Sequence, residues 1–214
     1  MEEENASPSP DRSATLLEIA AAIVLAFASL GTTWSTYQSA QWGHTQATTS
    51  SQIVKTLLEA SRLSTLAGHQ TTIDVVSFTS WLEVYTSGDE ALAAFYRERF
   101  RDEFLIVFEG WIAHSPLTNP DAPPSPFAME EYSLAASREA AALREEAAAL
   151  QMVAQYAGSS VDHYSRNTLF MASALFFVAI SRMFKKPALR LTMQAFSVIS
   201  LLVGLANVLR GPIA

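Results

Sequence analysis

The chain has 214 residues, of which 50% are hydrophobic and 16% charged, with a formal net charge of −7 and no cysteine. Proteins that bind nucleic acids usually carry a stripe of basic residues that neutralises the phosphates, and a net negative charge argues against such a stripe here. We therefore expect no nucleic-acid partner. The lack of cysteine excludes disulfide bonds and thiolate metal sites.

Three long stretches contain no Asp, Glu, Lys or Arg: residues 19–54, 167–181 and 191–209. Three separate apolar runs are difficult to bury in a small soluble core, so the sequence predicts three transmembrane helices, at 14–34, 166–184 and 191–210. The expected fold class is all-α, with an extramembrane antiparallel four-helix bundle, residues 35–165, inserted between spans 1 and 2.

Residues 1–13 combine acidic residues, Ser and Pro with little to bury, and we predict a disordered tail. This tail lacks the basic region and cleavage site of a removable signal peptide, so the first apolar run is expected to be retained. Ser13 is the predicted N-cap of the first helix.

The sequence WSTYQSAQW, residues 34–42, follows the first span and carries three aromatic rings without a charge. Trp and Tyr collect at membrane interfaces, so Trp34, Tyr37 and Trp42 are predicted interfacial anchors. A ligand-binding aromatic cage is the alternative that we consider weaker. Tyr164, Arg166 and Arg182 are the corresponding anchors predicted for the second span.

The first helix is predicted to continue to Ala67 and to end at Gly68, a typical C-cap residue. Small, polar and apolar residues spaced alternately three and four apart form a stripe along one face of this helix. The stripe favours packing against another helix, and a water-filled vestibule is the less favoured alternative. The stripe consists of Thr36, Ser39, Gly43, Gln46, Ser50, Ile53, Leu57, Ala60, Ser64 and Ala67.

Two further helices are predicted at about 69–86 and 91–114, the second capped by Asp89, with broad aromatic inner faces. Arg99 and Glu103 are expected to pair at i,i+4 on the outer face. Five of the nine prolines lie in or next to the linker 115–126, which predicts extended polyproline II backbone.

The fourth helix, predicted at about 126–165, has the clearest heptad pattern in the chain, typical of a coiled coil. Alanine at every second position of the pattern indicates close contact, so we predict an antiparallel stalk with the first helix. The positions are Ala136, Ala140, Leu143, Ala147, Leu150, Ala154 and Ala157.

The loop 185–190 and its flanks concentrate positive charge at Arg182, Lys185, Lys186 and Arg190. By the positive-inside rule this loop is predicted to be cytoplasmic. With three spans, the N-terminus is then cytoplasmic, and the bundle and the C-terminus are extracytoplasmic.

With WSTYQSAQW, FYRERFRDEF and NPDAPPSPFAMEEY followed by two closely spaced spans, the chain resembles an uncharacterised group of bacterial three-span integral membrane proteins. The resemblance implies a multi-pass protein of the bacterial inner (cell) membrane. It implies no activity and no site residue.

No enzyme signature is present, so we expect no catalytic residue, no cofactor and no enzymatic activity. His44, Asp162 and His163 are weak candidates for a metal or pH-sensing site, although solvated histidines are the favoured interpretation. We expect a scaffold, sensor or interaction module whose partners are the lipid bilayer and its own copies or other membrane proteins. The alternative is a subunit of an oligomeric channel or transporter.

Overall fold

The computed structural model describes residues 12–214, and their side chains from residue 15 onward. Within this range the fold is all-α, as predicted, and contains no strand. The helices are α1 (Arg12–Ser87), α2 (Glu90–Arg97), α3 (Asp102–Ala113), α4 (Ala135–Ser181) and α5 (Pro187–Arg210), with a 3-10 turn at Pro126–Ala128. The predicted disordered tail lies outside the described residues, except for Arg12 and Ser13, which belong to α1.

The chain divides into two compact units. Unit 1 contains the described residues up to Ser50 together with Gln151–Ala214, and unit 2 contains Ser51–Leu150. Helices α1 and α4 contribute residues to both units.

The predicted helix end at Gly68 is wrong, because α1 continues through this residue to Ser87. Gly68 is exposed, and a single glycine costs a helix only about 1 kcal/mol relative to alanine. The hydroxyls of Thr71 and Thr72 donate to the carbonyls of Ala67 and Gly68, the i−4 pattern of threonine inside a continuous helix.

The third predicted helix is instead two helices, because the backbone breaks between Arg97 and Asp102. The predicted pair of Arg99 and Glu103 therefore does not form. The guanidinium of Arg99 lies 3.3 Å from the ring centroid of Phe95 and donates to the carbonyl of the same residue.

The linker 115–126 forms hydrogen-bonded turns rather than extended polyproline II backbone. The amides of Thr118 and Asn119 both donate to the Ser115 carbonyl, and Ser115 itself has φ 52°. Helix α4 consequently begins at Ala135, later than the predicted start near Pro126.

In unit 1, α1 and α4 are antiparallel, as predicted for the stalk. Successive contacts pair residues whose numbers rise along α1 and fall along α4. The pairs are Gly31 with Met171, Ser35 with Asn167, Ser39 with Ser165, Gly43 with Val161 and Gln46 with Gly158.

Helix α5 completes the core of unit 1 and packs against both other helices. This core combines residues of α1, α4 and α5, most of them small or aliphatic. They are Ala21, Val24, Ala28, Met171, Ala174, Val178 and Leu201.

Three spans were predicted, and two helices meet the length and apolarity that a membrane crossing requires: α1, from Thr15, and α5. The apolar part of α4 does not meet this requirement. Its charge-free run begins after Arg166 and stops at Ser181, where the helix ends, which is shorter than the about 20 residues of a typical span.

The core of unit 2 is an aromatic cluster formed by α1, α2, α3 and residues 127–132, which precede α4. Rings pack mostly edge to face, an arrangement that adds to the burial of their apolar area. The buried rings are Phe78, Trp81, Phe100, Phe104, Phe108 and Trp111. A second small cluster packs Leu63 and Ala67 of α1 against Leu134, Ala136 and Ala140.

Candidate functional site

The sequence WSTYQSAQW presents different chemistry on the two faces of α1. Trp34 and Tyr37 are 40% and 54% exposed, and their ring centroids lie 6.1 Å apart. Ser35 and Gln38 are fully buried on the opposite face. One stretch therefore supplies an aromatic outer surface and a polar inner surface.

The inner residues belong to a polar layer, which we define as Ser35, Gln38, Trp42, Tyr164 and Asn167. Asn167 Nδ2 donates to Ser35 Oγ at 2.8 Å, and Ser35 Oγ donates to the Gly31 carbonyl at 2.7 Å. This chain of hydrogen bonds joins α4 to α1 inside the apolar part of unit 1.

The segment 211–214, which follows α5, docks on this polar layer. Trp42 Nε1 and the Tyr164 hydroxyl both donate to the Pro212 carbonyl, at 3.1 and 2.9 Å. The amide of Ala214 donates to Gln38 Oε1 at 3.1 Å. Trp42 and Tyr164 thus bind protein backbone, a role that the prediction of interfacial anchoring did not include.

Glycine is required where this segment meets α4. A Cβ on Gly211 would lie 2.6 Å from Tyr164 Oη and 3.0 Å from His163 Nε2. His163 Nε2 is also 3.0 Å from the Asn207 carbonyl oxygen, so the ring is held between α4 and the end of α5. Any larger residue at position 211 would have to displace two aromatic rings.

Met171 of α4 fits between two glycines on neighbouring helices. A Cβ on Gly31 of α1 would lie 2.5 Å from Met171 Cε, and one on Gly204 of α5 would lie 2.8 Å from the same atom. Small residues that let helices approach closely are typical of membrane helix interfaces.

Asn167 Oδ1 is buried and has no hydrogen-bond partner among the described residues. It would lie 3.5 Å from a Cβ on Gly204, so it faces the backbone of α5. Among the described residues, the Asn167 amide is therefore hydrogen-bonded through its nitrogen alone.

At the other end of unit 1, two polar side chains of α5 bind backbone carbonyls of its neighbours. Gln194 Nε2 donates to the Leu17 carbonyl at 2.6 Å, and Ser197 Oγ donates to the Ala174 carbonyl at 2.7 Å. α5 is therefore joined by hydrogen bonds to both α1 and α4.

The predicted topology residues lie at this same end of unit 1. Arg182, Lys185 and Lys186 are exposed. Arg190 is partly buried in the first turn of α5, and its Nη2 lies 3.8 Å from Glu18 Oε1.

The three weak metal candidates do not form a site in the described residues. His44 and Asp162 are exposed, and His163 is engaged with the Asn207 carbonyl. Across the described part of the chain, no group of three or more His, Cys, Asp or Glu side chains could hold a metal ion. Arg166, a predicted anchor, is exposed and donates to the Asp162 carbonyl at 3.3 Å.

Sequence reasoning missed a buried ion pair in unit 2. Asp74 is 1% exposed and accepts from Arg101 Nη2 at 2.8 Å and from the Tyr132 hydroxyl at 3.1 Å. The hydrogen bond to Asp74 raises the pKa of Arg101. Burial raises the pKa of Tyr132, as does the nearby negative charge of Asp74, whereas a hydrogen bond with Thr71 lowers it.

A sequence signal for this pair exists. Asp74 is the one charged residue between Arg62 and Glu83, and it lies one helical turn before the buried Phe78. A lone carboxylate on an apolar helix face must find a partner, although the sequence does not identify which one.

No protein-family model, curated protein or solved structure matches this chain.

Proposed function

We propose that this chain is an integral membrane protein in which unit 1 is the membrane anchor and unit 2 is a non-enzymatic scaffold, sensor or interaction module outside the membrane. The observation that carries the proposal is the distribution of side chains in unit 1. Only 22% of the most apolar window is buried in each of α1 and α5, whereas most of the core helix of a soluble protein would be buried.

Side-chain size supports the same conclusion. The buried positions of unit 1 include many small residues, such as Ala28, Gly31 and Gly204. Large apolar side chains point outward instead, as expected where the surroundings are lipid rather than water. They include Ile19, Ile23, Phe27, Leu30, Leu169, Phe176, Phe196 and Leu202.

We include α4 as a third span, over residues 166–184, despite its short charge-free run. Its residues Met171, Ala174 and Val178 are fully buried in the core shared with α1 and α5. A bilayer that encloses those two helices at this level would enclose α4 as well, and Arg166 and Arg182 could reach the two interfaces from its ends.

The proposed orientation places the basic hairpin loop in the cytoplasm. Arg182, Lys185, Lys186 and Arg190 surround this short connection, and short loops rich in Lys and Arg stay on the cytoplasmic side. Three spans then put unit 2 outside the cytoplasm. The resemblance to bacterial three-span proteins makes the inner membrane the proposed location.

An interaction role for unit 2 is supported by apolar side chains that α1 leaves uncovered there. Four of these side chains are more than half exposed: Val54 (66%), Leu58 (71%), Ile73 (57%) and Val76 (59%). Exposed apolar residues that recur along one element are typical of surfaces that contact another protein.

Photocrosslinking in intact cells tests this role. p-Benzoylphenylalanine at Val76 or Leu58 is expected to give an adduct of defined mass, and the same group at the lipid-facing Phe27 serves as the control for non-specific capture. Adducts only between copies of this chain would favour the oligomeric channel or transporter. No protein adduct from either unit 2 position would contradict the interaction role.

A further inference from the structure

Unit 2 contains an open cavity of about 330 Å³ between α1, α2 and α3. Trp81 and Tyr85 of α1, Phe108 of α3, and Glu90 and Arg97 of α2 are among the residues that line it. This volume falls at the lower end of the range for small-molecule sites.

The wall of the cavity is aromatic. The rings of Trp81 and Tyr85 stack with centroids 4.9 Å apart, and Trp81 meets Phe108 edge to face at 4.7 Å. Tyr85 remains 44% exposed although it packs on the buried Trp81. The π face of an aromatic ring carries partial negative charge and attracts cations.

The charged residues that line the cavity favour the same kind of ligand. Arg97 Nε donates to Glu109 Oε1 at 2.8 Å, so the charge of this arginine is already balanced. Glu90 forms no salt bridge among the side chains described, those of residues 15–214, which leaves one carboxylate without an ion-pair partner at the cavity. Unit 2 as a whole has 7 Lys and Arg against 15 Asp and Glu, and this field attracts cations to its surface.

We propose that this cavity binds a small organic cation in which an ammonium group is attached to a flat apolar body. The apolar body packs against Trp81 and Tyr85, and the ammonium group lies near the Tyr85 ring and the Glu90 carboxylate. The inference deepens the proposed function, since it names a ligand class for the sensor role, but the site belongs to unit 2 alone.

Calorimetric titration of the full chain in a non-ionic detergent tests the proposal, with benzyltrimethylammonium as the probe and benzoate as the anion of similar size. We expect saturable binding of the cation and much weaker binding of benzoate. Tyr85→Ala and Glu90→Gln should each weaken cation binding about threefold to tenfold, the range of a partly exposed cation–π or charge contact.

Phe95→Ala is the matched control, because Phe95 is a 47% exposed aromatic residue of α2 that does not line the cavity. Its affinity for the cation should equal that of the unmodified chain. The proposal would be overturned by equal binding of benzoate, by the absence of saturable cation binding, or by an unchanged cation affinity in Glu90→Gln. The Glu90→Gln result decides the matter even if Tyr85→Ala does not fold. Because purified protein is used, a failure here leaves the membrane anchor untouched.

Discussion

Asn167 is fully buried in unit 1, yet only one of its two amide atoms has a conventional hydrogen-bond partner in the described structure. Its position shows how polar residues join helices here. The amide reaches Ser35 across the helix interface, and the free oxygen faces the glycine backbone of α5. The sequence predicted that small polar residues pack in this region, and Ser39 does contact Ser165 of α4, but the predicted Thr36 is exposed and its neighbour Ser35 is the buried residue.

A double-mutant cycle tests the hydrogen bond between Asn167 and Ser35. We predict that Asn167→Ala and Ser35→Ala show a coupling free energy of about 0.6 kcal/mol, typical of interhelical hydrogen bonds in membranes. The measurement is the free energy of unfolding in detergent micelles. Thr36→Ala, at an exposed neighbouring position, should be additive with Asn167→Ala. Additivity of the Ser35 and Asn167 changes would show that this hydrogen bond contributes nothing.

The raised pKa of Tyr132 predicts a loss of folding stability at high pH. Burial raises its pKa in the folded state above the ordinary value of 10.0, so the folded chain holds this proton more tightly than the unfolded chain. The resulting stabilisation is complete below about pH 10 and is lost as the pH rises through the folded-state pKa. The urea midpoint should therefore fall more steeply above pH 10 for the unmodified chain than for Tyr132→Phe. Parallel pH profiles for the two proteins would refute this.

At the scale of single elements, local periodicity predicted α4 well and α1 less well. Ala140, Ala147, Ala154 and Ala157 are buried as the heptad pattern predicted. On α1, the stripe is correct at Ile53, Ala60 and Ala67, and Ser39, Gly43 and Gln46 contact α4. Its other members are exposed, namely Thr36, Ser50, Leu57 and Ser64, whereas Ser35, Thr49 and Leu63, each one residue before a stripe position, are buried. Periodicity therefore located the inner face of α1 to within one residue position, which is about 100° of rotation around the helix.

The elements that local reasoning missed depend on contacts between distant residues. The break between α2 and α3 places Arg101 where it reaches Asp74, 27 residues earlier in the chain. Tyr132 reaches the same carboxylate from 58 residues away. Periodicity identifies which face of a helix is buried, but it cannot identify the partner across the fold, so the sequence could indicate a buried Asp74 but neither its partners nor the polar layer.

Two glycines test the continuity of α1. Nothing lies within 4 Å of a Cβ built on either Gly68 or Gly88, so the two differ in backbone conformation alone. Gly68 is helical, and Gly68→Ala should raise the free energy of unfolding by about 0.5–1 kcal/mol. Gly88 has φ 85°, and Gly88→Ala should lower it by about 1–2 kcal/mol. A destabilising Gly68→Ala change would instead support a helix end at this residue.

For the whole molecule, the decisive issue is whether the outward apolar face of unit 1 contacts lipid or water. Ile23 and Val54 are both apolar residues of α1, 50% and 66% exposed. The account places the first in the middle of a span and the second outside the membrane. In a soluble protein, arginine at either position would change stability by only about 0.5 kcal/mol.

Arginine substitution at these two positions should therefore give unequal results. Ile23→Arg places a charge near the centre of a span, which costs about 2.5–3.5 kcal/mol of insertion free energy. We expect a large part of this variant to leave α1 uninserted and unit 2 in the cytoplasm, so that a cysteine at Asp121 in the unit 2 linker loses labelling by a membrane-impermeant thiol reagent, whereas Val54→Arg should leave this labelling unchanged. Equal labelling in both variants would argue against a first span at 14–34.

The measurement that tests the account most directly is cysteine labelling in intact cells, which is straightforward because the chain has no native cysteine. Asp121→Cys, in the exposed linker of unit 2, and Ala188→Cys, in the exposed start of α5, are compared with a membrane-impermeant thiol reagent. The account predicts that Asp121→Cys is labelled in intact cells and that Ala188→Cys is labelled only after lysis. Labelling of Ala188→Cys alone would invert the orientation, and equal labelling of both would contradict a membrane between them.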